Sequence, residues 1–286
     1  MCAPALLAAL PAAPDTVAAP VADVTWSPES PAQGRLFVIR VTAEGIAAVS
    51  GEFGGEVLHF ASAGDGAWES LAAVPVDAEG SAAVDVTVEY AYGTSETATP
   101  TIPIASGDYR HEALTVAPRF GTPPDSADQA RLNRDRAKAR EVSRQAHTSP
   151  RIWTHDLTIP RDDRVTSGFG NGRVFNGQVS SRHMGLDLDG EPGDTVVAVT
   201  RGVVALVDDF LYAGNIVYLN HGAGLLSGYF HLSEQLVAQG DTVEAGTPIG
   251  RVGATGRVTG PHLHWGAKIG NRPFDPTALL DPALWD

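Results

Sequence analysis

Short β-prone runs separated by glycine and proline recur along most of this 286-residue chain, which contains 31 glycines and 20 prolines. Runs at 35–42, 82–92 and 193–207 are rich in β-branched and aromatic residues. Glycine and proline interrupt helices and mark turns, so this spacing is typical of turn-rich β domains. The length exceeds that of one ordinary domain and accommodates two. The sequence therefore predicts a mainly β protein with two domains.

Changes in composition predict four segments. Residues 1–22 are apolar and rich in small residues, and we interpret them as the remnant of a secretory leader, with lipid attachment at Cys2 left open. Residues 23–106 show the strand spacing of an immunoglobulin-like β-sandwich, which we interpret as an accessory domain. A linker with a helix is expected at 107–150, and a compact antiparallel β-sheet domain at 151–286.

The predicted linker helix has a recognisable start. Asp125 and Ser126 are both suitable N-caps, and the residues that follow are rich in Ala, Arg, Gln and Glu. Its basic side chains allow contact with an anionic polymer, but a helix that packs against a neighbouring domain is the favoured interpretation. The sandwich or the linker is a candidate for regulatory contact with the C-terminal domain.

Charge and cysteine content exclude several classes of protein. The net charge is −14, and residues 1–106 contain two basic and thirteen acidic side chains. Nucleic-acid binding needs a clustered excess of Lys and Arg, so no nucleic-acid partner is expected. The single cysteine permits neither an intramolecular disulfide nor a thiolate metal cluster. No run is apolar and long enough to predict a transmembrane helix.

Histidines concentrate in the C-terminal domain, and two of them are spaced for one strand face. In the sequence His262-Leu263-His264 the imidazoles are two positions apart, so on a strand both project to the same side and Leu263 projects to the other. Two histidines on one face can share a metal ion. Alternatively, one binds the metal while the other works beside it.

A second pair consists of His183 and Asp187. As strand positions, 183, 185 and 187 share a face, and the missing side chain of Gly185 leaves room between the two candidate ligands. Imidazole and carboxylate together suit Zn²⁺, and three protein ligands with an open fourth position are the catalytic pattern.

Each motif alone also has a structural explanation. Paired histidines frequently serve as hydrogen-bonded core residues, and we interpret His59 and His221 in that way. The two pairs occur in order, however, with His231 in a β-prone run between them, and this combination strengthens the metal-site interpretation.

The run 165–276 resembles the lysostaphin/LytM-type zinc metallopeptidases, which are peptidoglycan endopeptidases. The resemblance is carried by Ser-Gly-Phe-Gly at 167–170, Phe-Asn-Gly at 175–177, His-Met-Gly-Leu-Asp at 183–187, Tyr-Phe-His-Leu-Ser at 229–233 and Thr-Gly-Pro-His-Leu-His-Trp at 259–265. It implies a LytM-type antiparallel β-sheet catalytic domain with one Zn²⁺ per chain. The implied zinc ligands are His183, Asp187 and His264, and the implied catalytic pair is His231 and His262.

The resemblance also implies the substrate and the location. Peptidoglycan stem or bridge peptides are the expected substrate, with the D,D-endopeptidase reaction favoured because the chain has only two lysines and no basic wall-targeting module. The expected location is extracytoplasmic. Asn176, Tyr229 and Thr259 are candidate groove residues, and the loops 171–181 and 211–214 are expected to form the groove walls.

Two other functions remain open from the sequence. Relatives with decayed sites regulate other wall hydrolases, although all five candidate residues are present here. A latent enzyme is the other alternative, with the segment 107–150 or Asn176 covering the zinc.

Overall fold

The computed structural model of the protein describes residues 22–284, and these residues are mainly β with a single α-helix. The predicted fold class is confirmed. The predicted leader and Cys2 lie outside the described residues, except for Ala22. Within residues 22–284, no helix combines the length and the apolar character needed to cross a bilayer.

Nine strands form the N-terminal region, in two sheets with the orders β1-β2-β6-β5 and β4-β3-β7-β8, and β9 adds to β7. They are β1 Asp23–Ser27, β2 Leu36–Thr42, β3 Ile46–Phe53, β4 Glu56–Leu58, β5 Ala61–Gly64, β6 Ala67–Ala73, β7 Ser81–Tyr90, β8 Ser95–Ala98 and β9 Thr101–Pro103.

Alternation of side chains in these strands builds one apolar core between the two sheets. Phe37 and Ile39 of β2 and Val84 and Val86 of β7 are fully buried, whereas the residues between them are more exposed. A period of two with one buried face is what a two-layer β-sandwich requires. The immunoglobulin-like topology and the domain limits stay predictions.

The linker contributes more regular structure than its sequence indicates. It contains β10 His111–Leu114, a 3₁₀ helix at Pro118–Phe120 and α1 Ser126–Thr148. Asp125 is the N-cap of α1, and its side chain accepts a hydrogen bond from the Asp128 amide at 2.8 Å. Val142 and Ala146 of α1 pack on the C-terminal sheet, which agrees with the favoured interpretation of a helix against a neighbour.

Thirteen strands form the C-terminal region. They are β11 Val165–Ser167, β12 Gly172–Phe175, β13 Val179–Arg182, β14 Leu186–Leu188, β15 Thr195–Val197, β16 Gly202–Phe210, β17 Gly214–Gly222, β18 Leu225–Leu232, β19 Glu234–Gln235, β20 Thr242–Val243, β21 Pro248–Arg251, β22 Leu263–Ile269 and β23 Arg272–Phe274. Two 3₁₀ helices, Pro276–Leu280 and Pro282–Leu284, follow them.

The main sheet has the order β11-β14-β22-β18-β17-β16-β20 with β23 beside β22, and its pairings are antiparallel. Leu263 and Trp265 of β22 point into one core and are fully buried. His264 lies between them in sequence and therefore projects from the opposite face. That face carries the candidate site.

A smaller three-stranded sheet brings the linker close to the candidate site. Strand β10 pairs in parallel with β12, and β12 pairs with β13, so the linker extends the β12–β13 hairpin. Asn176 closes this pairing, because its side chain accepts from the Val116 amide at 3.0 Å and donates to the Val116 carbonyl at 3.1 Å.

Candidate active site

The three predicted metal ligands converge on one point. Asp187 of β14 lies directly opposite His264 of β22 in the antiparallel register. Side chains in this relation have Cβ atoms about 4.5–5.5 Å apart, so the two ligands meet by strand pairing alone. His183 follows β13 and reaches the pair across an irregular segment at 183–185. The expectation that 183 and 187 share the face of one strand is wrong, since a bend and not the pleat directs His183.

Distances within this cluster are those of a metal-binding set. Oδ1 of Asp187 lies 2.9 Å from Nε2 of His183 and 2.7 Å from Nδ1 of His264. The two histidine nitrogens are 2.9 Å apart. The candidate ligand atoms all lie within 4.8 Å of one another, and the three residues are buried or half-buried.

A backbone carbonyl fixes the tautomer of His183. Its Nδ1 lies 2.7 Å from the carbonyl oxygen of Gly168, which can only accept a hydrogen bond. Nδ1 therefore carries the proton and Nε2 presents its lone pair to Asp187 and His264. Metal-ligating histidines are commonly oriented by such a second hydrogen bond.

Asp187 is held by an arginine that is itself paired. Arg173 of β12 donates to Oδ2 of Asp187 at 2.5 Å, to Oγ of Ser167 at 2.7 Å and to Oε2 of Glu112 at 3.1 Å. Glu112 lies in the linker strand β10 and also accepts from Asn171 at 2.7 Å. The linker thus supplies a carboxylate that neutralises the arginine beneath the ligand cluster.

Polar contacts outweigh burial in the titration of both carboxylates. Burial alone raises the pKa of Asp187, but its close contacts with the imidazoles of His183 and His264 hold that pKa well below its usual range. Burial likewise raises the pKa of Glu112, yet hydrogen bonds from Ser167 and its other partners lower it overall. Both groups are therefore carboxylates at neutral pH, as ligand and counter-charge require.

His231 and His262 lie beside the ligand cluster with their rings 4.9 Å apart. Nδ1 of His231 lies 2.8 Å from the Thr255 carbonyl oxygen, and Nδ1 of His262 lies 2.9 Å from that of Gly260. Each Nδ1 must donate, so each Nε2 keeps its lone pair. Nε2 of His262 lies 3.7 Å from Oδ1 of Asp187, which puts it at the edge of the ligand set.

His231 reaches the site through an unusual backbone conformation. Its φ of 62° lies in the left-handed region, which non-glycine residues rarely occupy. Tyr229 points into the core, and in a regular strand the side chain two positions later would point the same way. The ring of His231 instead lies 5.8 Å from that of His264. Strained conformations of this kind persist where the surrounding structure enforces them, often at functional sites.

Burial keeps two of these histidines uncharged. It lowers the pKa of His264 to about 4, against the raising effect of Asp187. Burial, followed by electrostatic repulsion from the imidazoles of His264 and His262 when these are protonated, also lowers the pKa of His231 well below its usual range. Neutral imidazoles are the forms that can bind a metal or accept a proton.

Comparison with known proteins places this geometry in a family. Residues 181–276 match the model of Peptidase family M23. The chain contains an M23 peptidase domain. The match includes all five histidine and aspartate residues described above, and the family resemblance of the sequence is confirmed.

Part of the chain is also similar to curated relatives. The chain is 40% identical over 115 residues to peptidoglycan DD-endopeptidase ShyA of Vibrio cholerae, a match that covers 39% of this chain and 26% of ShyA. It is 40% identical over 100 residues to DD-carboxypeptidase/endopeptidase Mpg of Neisseria meningitidis, covering 35% and 23%. The chain spans about a quarter of the length of these relatives.

A crystal structure from Pseudomonas aeruginosa, described as an M23 peptidase, is similar over both regions of the chain. The TM-score is 0.67 at 25% identity, and the alignment covers 88% of this chain and 95% of that one. The arrangement of a β-rich N-terminal region before the M23 domain is therefore found in another protein.

The three candidate groove residues of the M23 domain have different positions. Thr259 is exposed and lines a cavity of about 510 Å³ together with His262. Asn176 holds the linker at Val116 and does not contact the ligand cluster in this structure. The prediction for Tyr229 needs correction, because its side chain is fully buried in the core and its hydroxyl accepts from the Val199 amide at 2.9 Å.

Several residues of the M23 site were not singled out from the sequence. Ser167 and Gly168 belong to a run that carried the family resemblance, so a signal for them was available. Arg173 and Glu112 have no local signature, since their partners lie 14 and 61 residues away. By contrast, His221 has the core role expected, with Nε2 at 2.8 Å from Oγ of Ser227 in the buried interior.

Proposed function

We propose that this chain is a zinc metalloendopeptidase that hydrolyses peptide cross-links of bacterial peptidoglycan, with the D,D-endopeptidase reaction as its specific form. The observation that carries the proposal is the position of two imidazoles with available Nε2 lone pairs beside three converging ligand atoms. The descriptions of ShyA and Mpg support the substrate class.

The donor set fits one Zn²⁺ per chain. Nε2 of His183, Oδ1 of Asp187 and Nδ1 of His264 are two nitrogens and one oxygen that point at a common space. Three such ligands with an open fourth position are typical of catalytic zinc. When bound, zinc supplies Lewis-acid chemistry, lowering the pKa of a bound water to about 7 and polarising the scissile carbonyl.

The chain's own histidines supply the proton transfers. In our proposal, Nε2 of either His231 or His262 takes up the proton of the attacking water. That proton then stabilises the developing charge on the carbonyl oxygen or passes to the leaving amine, from the same imidazole or through the other one. Donation from each Nδ1 to a fixed carbonyl holds both rings in place during these steps. Arg173 keeps Asp187 oriented and charged throughout.

A wall substrate implies an extracytoplasmic location, in the periplasm, on the outer surface or in the medium. The groove that would receive the peptide extends on both sides of the histidines. One cavity of about 350 Å³ is lined by His183 and His264, and another of about 510 Å³ is lined by His262 and Thr259.

A latent form is the second candidate, and the linker favours it. Residues 112–114 and Val116 line the cavity that contains His262, and Asn176 holds Val116 by two hydrogen bonds. If this segment restricts the groove, Asn176→Ala should increase the rate of hydrolysis. A regulator without activity is less well supported, because both the ligand set and the histidine pair are complete.

Metal content and amine release from purified peptidoglycan test the proposal together. The wild type should contain one zinc per chain and release new amines. His262→Ala should retain zinc and lose about 100- to 10,000-fold in rate, because it removes only a proton-transfer group. His155→Ala is the matched control, since this exposed histidine lines a cleft away from the site.

Zinc without amine release in both the wild type and Asn176→Ala would count against an enzyme, active or latent. A regulatory protein would then be the better explanation. Equal rates for the wild type and His262→Ala would refute the assigned role of the histidine pair.

A further inference from the structure

Arg257 lies in the groove wall with its guanidinium held between two aromatic rings. Its Cζ is 4.0 Å from the ring centroid of Phe175 and 4.2 Å from that of Tyr212. Its backbone amide donates to the Tyr212 carbonyl at 2.8 Å. Phe175 belongs to the β12–β13 hairpin and Tyr212 to the loop between β16 and β17. The arginine therefore bridges two walls of the groove in a fixed orientation.

The charge of Arg257 has no acidic partner in the part of the chain that the structure describes. Within residues 22–284, no carboxylate forms an ion pair with its guanidinium, and the neighbouring charge is another cation, Arg173. Burial lowers the pKa of Arg257, but a guanidinium stays protonated in proteins. The two aromatic rings offset part of the cost of burying this cation, but they do not accept in-plane hydrogen bonds from its N–H groups as an anionic ligand would.

Arg173 shows the contrast within the same groove. Its Nε and Nη2 atoms already donate to Glu112, Ser167 and Asp187. Stacking on aromatic faces, as in Arg257, leaves the N–H edge of the guanidinium available for in-plane hydrogen bonds. Of the two arginines, Arg257 is therefore the one that can bind an external anion.

The location of Arg257 ties this anion site to the ligand cluster. Arg257 and His231 line both cavities of the groove, the one that contains His183 and His264 and the one that contains His262. A group bound to Arg257 therefore lies on the path of a peptide whose scissile bond is placed at the histidines. Planar, bidentate recognition by a guanidinium matches a carboxylate in particular.

We propose that Arg257 is a specificity-determining residue that binds a free carboxylate of the substrate peptide close to the scissile bond. This inference rests on the proposed function, because it names the group that positions the wall peptide at the same site. A purely structural role for Arg257, in which it only joins the two groove walls, would give no discrimination between charged and uncharged peptides.

The test uses the full chain with zinc and two cross-linked muropeptides that differ in one group. One peptide has a free carboxylate beside the scissile bond and the other has a carboxamide there. The variants are Arg257→Gln, which removes the charge, and Arg257→Lys, which keeps the charge without the planar fork. Arg151→Gln is the matched control, because Arg151 is also stacked on an aromatic ring, 3.5 Å above Trp153, but lines a cleft away from the site.

A charge-assisted bidentate contact predicts that the wild type prefers the carboxylate peptide by about ten- to a hundredfold in kcat/KM. Arg257→Gln should abolish this preference by slowing cleavage of the carboxylate peptide, Arg257→Lys should reduce it, and Arg151→Gln should retain it. Equal cleavage of both peptides by the wild type, or an unchanged preference in Arg257→Gln, would overturn the inference while leaving the proposed function intact.

Calorimetric binding of the same two peptides separates the two proposals. If the wild type cleaves neither peptide but binds the carboxylate form more tightly, and Arg257→Gln does not, the proposed function fails and the carboxylate site stands. Equal affinity of the wild type for both peptides, or binding of neither, would contradict the carboxylate site independently of hydrolysis.

Discussion

Gly185 separates two of the metal ligands, and its replacement by alanine gives a sharp test of the site geometry. A Cβ at this position would lie 2.6 Å from both Cε1 and Nε2 of His264 and 2.7 Å from the Trp265 carbonyl oxygen. Ordinary contacts between such atoms are about 3.5 Å, so the imidazole must withdraw by about 1 Å. Because β22 is fixed by pairing on both edges, the side chain of His264 and the irregular segment 183–185 are expected to move, and not the strand.

The expected consequence is a weakened metal site in a protein that still folds. Nδ1 of His264 lies only 2.7 Å from Oδ1 of Asp187, so a shift of this size breaks the convergence of the ligands. We expect Gly185→Ala to lose at least about 10- to 100-fold in zinc affinity. Overpacking should cost about 1–3 kcal/mol in the free energy of unfolding of the zinc-free protein.

Zinc affinity is measured by competition with a chromophoric chelator, and the free energy of unfolding by urea titration. Gly260→Ala is the control, because a Cβ there meets no atom within 4 Å, although the residue also lies near the site. Gly260→Ala should bind zinc as the wild type does. Wild-type affinity in Gly185→Ala would refute the assignment of His264 as a ligand in this orientation.

Three further perturbations test other parts of the structure. Glu112→Gln removes the counter-charge of Arg173 and should lower the free energy of unfolding by about 1–3 kcal/mol in urea titrations, with weaker zinc binding. Tyr229→Phe leaves the Val199 amide without its acceptor, so it should cost about 1–3 kcal/mol in the same titrations while peptidoglycan hydrolysis is retained. His221, whose pKa is lowered by burial to about 4, should make stability fall by about 2 kcal/mol between pH 7 and pH 5. The sign follows because the unfolded chain takes up a proton below its pKa of about 6.5 and the folded chain does not; urea titrations of the wild type and His221→Asn across this range measure the difference.

Each of these expectations has an opposing result. An unchanged unfolding free energy in Glu112→Gln would show that the linker carboxylate does not support the site. Loss of hydrolysis in Tyr229→Phe, with only a small loss of stability, would restore the groove role first expected for that residue. An identical pH slope in the wild type and His221→Asn would exclude His221 as its source.

The ligand spacing was readable from the sequence because it depends on local geometry. The pleat of a strand predicts His262 and His264 on one face. In the structure both lie near Oδ1 of Asp187, at 3.7 Å and 2.7 Å, although β22 begins only at Leu263. Gly185 likewise leaves the space that its sequence position indicated. For the same reason the turn-rich β composition was sufficient to predict the fold class.

Tertiary structure alone decided which residues support and surround these ligands. Glu112 meets Arg173 across 61 positions, and Arg257 is held between rings from a hairpin and a distant loop. A strand has two faces, and the sequence does not state which one packs into the core. Tyr229 was therefore expected in the groove, whereas its side chain lies in the interior. Local periodicity fixes the relative direction of neighbouring side chains, whereas the packing of sheets and linker determines what each side chain meets.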